Sequence, residues 1–301
     1  YINSGAIDSE GYELQVKLSP LSTRDWSWTV NFTAAYMKDI LKRSYTDEPA
    51  LERFTNGNAA LDGFPVSGFW SIPFIGLSPK NGTPLFAVMD QVGGEMQKVS
   101  GSLLDYLVYS GDSEPRVSGG ISTTVRYKRF TLNAMFNYQL GHYKRLNPFI
   151  TSSNNGMLSI PGADVNASTE LLNRWQQPGD ETRTRIPALS TRDEDVSQYL
   201  PDNSLSLGNY NTVYRYSLYN RSTERVVSAS HLRCNRISLN YQTKIPRIAE
   251  INLGITVTNP FIIKNHRLGD QDPEVMSMNA DSYTPTMKRQ QNYSISAEFI
   301  F

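Results

Sequence analysis

The chain has 301 residues, with 29 basic and 29 acidic side chains and no formal net charge. That balance argues against a nucleic-acid partner, which calls for a basic excess or patch. Mean hydropathy is -0.43, and no apolar run approaches the roughly 20 residues of a spanning helix, which excludes a helical membrane protein. A transmembrane barrel is still open, because its polar inward residues dilute the average. The single cysteine, Cys234, excludes an internal disulfide and a cysteine-based metal cluster. The opening Tyr1-Ile2-Asn3-Ser4 lacks the basic and apolar parts of a signal peptide, so for an exported protein the true beginning is expected upstream.

Along the chain, apolar residues recur at every second position, the mark of strands with one apolar face. Tyr12, Leu14, Val16 and Leu18 alternate with Glu13, Gln15 and Lys17. Trp26, Trp28, Val30, Phe32, Ala34 and Tyr36 form the next apolar face. Val117, Ile121, Val125 and Tyr127 follow, and Lys128-Arg129 turns the chain into Phe130, Leu132, Ala134, Phe136, Tyr138 and Leu140. Ile237, Leu239 and Tyr241 are expected to pair with Ile251, Leu253, Ile255 and Val257 across a short Pro-containing turn. The alternation slips between Cys234 and Ile237, which predicts a β-bulge. The chain closes on "QNYSISAEFIF", with Tyr293, Ile295, Ala297, Phe299 and Phe301 on one face.

Strict alternation also suits a soluble β-sandwich, but two features favour a membrane barrel. Aromatic residues stand at strand ends, with small or aliphatic residues between them. From Trp28 to Tyr36 an extended chain covers roughly 26 Å, about the height of an outer-membrane apolar band. Connections also alternate in length: short turns at 19–25, 128–129 and 243–249 alternate with long segments at 37–116, 141–226 and 259–290. Outer-membrane barrels have this arrangement, with short periplasmic turns and long extracellular loops. Counting back from the C-terminus gives eight strands. Eight can close a small barrel, yet such loops are oversized for one, and the immediate entry into a strand suggests a piece of a larger barrel.

Several stretches, in order, carry a family resemblance. They are "NSGAIDSEGYELQV" (3–16), "WSWTVNFTAAY" (26–36), "GFPVSGFWSIPFIGLSPKNGTPLF" (63–86) and "YLVYSGDSEPRVSGGISTTVRYKRFTLNAMFNYQLGH" (106–142). After them come "RWQQPGDETRTRIP" (174–187), "SHLRCNRISLNYQTKIP" (230–246), "LGDQDPEV" (268–275) and the aromatic terminus. The set resembles the C-terminal part of a SusC/RagA-type TonB-dependent outer-membrane transporter of the Bacteroidota. Cys234 stands where that family more often has an apolar residue, and 188–226 matches no pattern. The resemblance implies an all-β, antiparallel transmembrane barrel of about 22 strands, of which residues 1–301 are the C-terminal portion with long extracellular loops. The plug domain and early strands are absent from this chain. It further implies a multi-pass outer-membrane protein that imports glycans or peptides. Its partners would be the N-terminal plug and barrel portion, a SusD-like surface lipoprotein, TonB acting on the missing plug, and outer-membrane lipid. Polar inward residues such as Asn31, Asn133, Asn137, Asn240 and Asn252 would meet the plug and a wet lumen. An autotransporter-type β-domain, or a stand-alone structural barrel or adhesin, is the competing reading.

No catalytic site is expected. His142, His231 and His266 are far apart without metal-ligand spacing, and no Gly-x-Ser-x-Gly elbow occurs. Asp270, Asp272 and Glu274 alternate in "GDQDPE" and form a weak Ca²⁺ candidate, although Asp-Pro favours a turn; otherwise no metal or cofactor is expected. Trp175, Tyr199, Tyr210, Tyr214, Tyr216 and Tyr219 sit among polar residues and are candidates for contact with substrate or a partner protein, or for packing the loop onto the rim. By resemblance to other outer-membrane barrels, Tyr293, Phe299 and Phe301 are the candidate barrel-assembly signal.

Overall fold

A computed structural model of the chain describes residues 5–43, 51–59, 61–87, 91–92, 95–96, 107–148, 151–152, 158–159, 168–189, 197–201, 210–246, 249–275 and 289–300. Its main element is an antiparallel meander of seven strands, each hydrogen-bonded to the next in sequence. The strands are β1 (Ala6–Ser22), β2 (Trp26–Arg43), β3 (Val117–Tyr127), β4 (Phe130–Leu140), β5 (His231–Ile245), β6 (Ala249–Lys264) and β7 (Asn292–Ile300). The count of eight is thus corrected to seven. The remaining short strands pair among themselves inside the long connections and do not join the sheet.

Register converts the period-2 pattern into two chemically different faces, because neighbouring strands bring like positions side by side. One row crosses the whole sheet as Leu21, Trp28, Val125, Leu132, Leu239, Ile255 and Ile295. One residue along, on the other face, the row reads Thr29, Thr124, Asn133, Ser238, Thr256 and Ser294. On β5 and β6 the apolar row is the more exposed: Leu239 is 43% exposed and Ile255 54%, whereas Ser238 is 9%. A continuous exposed apolar face backed by a hydroxyl and amide face is the construction of a membrane-barrel wall, with lipid as the outer solvent. No helix among the described residues is long and apolar enough to cross a membrane.

Aromatic pairs mark the ends of that face. Near the short turns, Trp26 meets Tyr127 with ring centroids 4.2 Å apart, and Phe130 meets Tyr241 at 4.8 Å. At the opposite end Tyr12 stacks on Tyr36 at 6.3 Å. Two residues from the same end of β4, Tyr138 lies across Gly119, its register partner, and donates its hydroxyl hydrogen to the Thr33 carbonyl at 2.9 Å. A Cβ on Gly119 would stand 2.0 Å from that carbonyl oxygen, so a side chain there is sterically forbidden.

The expected bulge is present. Register slips between Cys234 and Arg236 against both neighbours, leaving Asn235 as the extra residue. On β6 the slip is matched at Asn259 and Pro260, and Asn259 has φ 52. This paired irregularity carries β6 on to Lys264, six residues into the long connection expected from 259, because an Asn tolerates the left-handed turn and the proline needs no donor there. β2 likewise runs to Arg43 rather than Tyr36.

Three short turns (23–25, 128–129, 246–248) lie at one end of the sheet, and three long connections (44–116, 141–230, 265–291) at the other. The long connections hold the apolar core. Ile72, Phe74, Leu77, Phe86, Leu171, Trp175, Ala188, Tyr216, Leu218 and Tyr219 form one buried cluster, and Phe54, Ala59 and Trp70 another. The first two connections are joined by backbone as well: Ile72 donates to the Arg221 carbonyl at 3.1 Å and accepts from Thr223 at 2.9 Å. The loops therefore form a packed rim over the wall.

Candidate functional site

The rim is organised by buried charge. Tyr143–Arg145 pairs with Val226–Ser228 just above the sheet, and this short ladder turns Lys144 and Arg145 into the interior. Arg145 is 1% exposed. Its guanidinium donates to the carbonyls of Thr55 (3.1 Å), Trp70 (3.0 Å), Asn220 (3.4 Å) and Ser222 (3.3 Å), and to Ser71 Oγ (3.0 Å). It also lies over the Phe69 ring at 5.5 Å. Burial, with Arg221 and Arg225 nearby, pulls its pKa down to about 9. A planar fork of five donors suits one residue to collecting carbonyls from several chain segments. Next to it, Arg225 forms a bidentate pair with Glu170 and donates to the Asn147 carbonyl at 2.7 Å.

A second network seats the turn that carries Asp270, Asp272 and Glu274. Arg233 of β5 donates to Asp272 Oδ1 at 2.6 Å and to Glu274 Oε1 at 2.9 Å. Asn137 of β4 donates to Glu274 Oε1 at 3.0 Å, and His231 Nε2 lies 3.2 Å from it. Arg289 reaches both carboxylates, and the Lys144 ammonium donates to the carbonyls of Asp272 (3.0 Å) and Val275 (2.7 Å). Burial opposes ionisation of Glu274, but the bonds from Asn137 and Arg233 and the nearby Arg289 outweigh it and hold the carboxyl at about 2. Burial lowers Lys144 to about 8, with Asp272 opposing. The turn is thereby fixed to the wall from the polar face of the sheet.

Most of the residues singled out in the sequence have a place. Asp272 and Glu274 face guanidinium groups while Asp270 is exposed beside a 340 Å³ cleft lined by Ile262, Lys264 and Pro273. The three do not converge into a ligand set, and no cluster of three such groups suited to a metal occurs among the described residues. Trp175, Tyr216 and Tyr219 are core residues of the rim, 8%, 0% and 1% exposed. The Trp175 indole donates to Glu181 at 3.1 Å, and the Tyr216 and Tyr219 hydroxyls donate to the carbonyls of Ala188 (2.6 Å) and Arg185 (3.0 Å). In this structure the three rings are buried and pack the rim, the third of the alternatives held open for them. Tyr199 lies in Ser197–Pro201, which pairs with Tyr210–Tyr214 as a hairpin; the side chains of Tyr199, Tyr210 and Tyr214 lie outside the described residues. Tyr293 and Phe299 are exposed on the apolar face of edge strand β7, and Phe301 lies outside the described residues.

The structure also unites residues that the sequence kept apart. His142 and His231, 89 positions apart in the chain, have ring centroids 6.0 Å apart in a T-shaped arrangement. Arg145, Arg225, Arg233 and Lys144 were not legible as a group. Each reads locally as an ordinary charged residue, and only the pairing of distant loops buries them together.

No family model matches the sequence, and no curated protein resembles it in sequence. Solved structures do resemble it in fold. A chain of the RagAB peptide importer in the closed-closed state superimposes with a TM-score of 0.65 at 18% identity, over 99% of this chain and 30% of that one. The open-open state gives 0.64 at 18% identity, and a further RagAB peptide transporter structure gives 0.66 at 17%. The chain thus spans about three-tenths of the length of the transporter chains it matches. Its fold is that of a piece of a RagAB-type transporter chain, as the ordered SusC/RagA-like motifs implied.

Proposed function

We propose that the chain is the C-terminal wall and outer rim of a TonB-dependent outer-membrane importer, with peptides as the first cargo to test and glycans as the second. The observation that carries this reading is the superposition of 99% of the chain on a peptide importer, reinforced by a sheet with one apolar and one polar face. A surface lipoprotein seated on the long-loop rim, a plug inside the barrel and TonB acting on that plug complete the proposed machine. The role assigned here is structural and gating; no catalytic step is assigned to it.

The test is extraction from native outer membrane in mild detergent, with every co-purifying chain identified by mass spectrometry. An upstream plug-and-barrel polypeptide together with a surface lipoprotein is the expected result. Uptake of a labelled peptide pool, compared with labelled oligosaccharides in cells lacking the gene, then separates the cargo classes. This chain alone, folded and heat-modifiable on a gel, would sink the proposal in favour of an independent barrel. A secreted passenger upstream would point to an autotransporter.

A further inference from the structure

His142 stands at the joint between wall and rim, two residues after β4 ends at Leu140. It is 1% exposed, and neither ring nitrogen meets a hydrogen-bond partner among the described residues. Such a ring tolerates its neutral form and resists a charge that nothing close by accepts. The charged and titratable groups around it are known from each packed element. β5 brings the His231 ring, 6.0 Å away, and behind it Arg233. Its own segment brings the buried ammonium of Lys144. The 265–275 turn brings Asp272 and Glu274 and carries the exposed His266, Arg267 and Asp270, and Arg289 precedes β7. Val226–Ser228 brings no titratable side chain. Both carboxylates already serve Arg233 and Arg289, and Glu274 also serves His231 and Asn137.

We propose that His142 is an acid-sensitive pin for the rim: its protonation unseats the 265–275 turn from the barrel wall. A proton on His142 places a second buried cation beside Lys144, the group that holds the turn through the carbonyls of Asp272 and Val275. Opening the turn lets water reach both cations. The pin works whether or not the barrel imports peptides, so its failure and that of the transport reading are separable.

Burial first, then His231 and Lys144, depress His142 from 6.5 to about 4. The seated turn thus rejects a proton that the open turn accepts. Seating is fully stable above the ordinary histidine range and weakens as pH falls through it towards 4. Glu274, at about 2, stays ionised throughout the window from 7.5 to 5, and Lys144, at about 8, stays mostly protonated. His231, which touches Glu274, and His266, within the turn itself, are the other histidines present, so the share that belongs to His142 is read from its replacement.

The experiment is hydrogen exchange of amides in 265–275 on the full-length protein in outer-membrane vesicles at pH 7.5 and 5.0, corrected for intrinsic exchange rates. The wild type is expected to open roughly 30-fold more at pH 5.0, from the linkage of the two protonation constants. His142→Phe keeps a ring of similar shape without a titrating group and is expected to change less than about 2-fold over the same interval. Unchanged opening in the wild type, or an equal acid response in His142→Phe, overturns the proposal. Should the Phe variant lose heat-modifiability at pH 7.5, His142→Gln answers the same question with the same two outcomes.

Discussion

Replacing Arg145 by Leu tests whether the rim is held by buried charge or by its apolar clusters. The guanidinium makes three bonds at 3.0–3.1 Å and two at 3.3–3.4 Å. Bonds from a charged donor contribute roughly 1.5–3 kcal/mol each, so the three short ones amount to about 5–9 kcal/mol. Against that stands the cost of burying the charge. A depression from 12.5 to about 9 corresponds to roughly 5 kcal/mol, which Leu relieves. Four of the acceptors are backbone carbonyls that no compensating substitution can remove, unlike a buried carboxylate partner. The short bonds less the burial cost leave about 0–4 kcal/mol, and the two longer bonds at roughly 1 kcal/mol each bring the expected net loss to about 2–6 kcal/mol, or roughly 30- to 20,000-fold in the open fraction of the rim. The assay is thermolysin cleavage of the loops run beside heat-modifiability of the barrel. Faster loop cleavage with unchanged barrel mobility is expected, since the wall strands hydrogen-bond to one another without Arg145. Loops as resistant as wild type would refute the claim that the guanidinium organises them. Simultaneous loss of the barrel would refute the separation of rim from wall.

Three further outcomes are expected. Gly82→Ala places a Cβ 2.4 Å from the Trp175 ring at a backbone φ of +67, and overpacking plus strain should cost about 1–3 kcal/mol, read as faster cleavage within 74–87. Leu239→Arg sets a charge in the middle of the exposed apolar row and, if that row meets lipid as proposed, should lower barrel stability by roughly 2–4 kcal/mol, measured by denaturant unfolding in lipid; an unaffected barrel would mean this face is not in the membrane. Glu274 is held at about 2 against an ordinary 4.5, so its contribution is complete above 4.5 and is lost as pH falls towards 2. Pepsin sensitivity of the 265–275 turn should therefore climb across that interval in the wild type, and Glu274→Gln should start higher and climb less, keeping only the His142 response.

Alternation along each strand settled which face of the wall is apolar, because side chains of an extended chain point alternately to opposite faces and need no partner to do so. The short turns, the aromatic ends and the bulge beyond Cys234 were readable for the same reason: each is a local signal within a few residues. Strand ends were less so. β6 passes Asn259 and Pro260, which locally read as a stop, because a matching bulge at Asn235 in the next strand accommodates them. The rim was opaque to sequence. Trp175, Tyr216 and Tyr219 look like surface aromatics among Asn, Ser and Arg, and only contact with Ile72, Phe74 and Phe86 from another connection makes them core. Arg145 meets carbonyls 75 to 90 residues away, and His142 meets a ring 89 residues on. Burial of charge arises where distant segments close over it. Sequence determined the wall through periodicity; tertiary structure alone decided the rim, since desolvation and long-range hydrogen bonding have no period.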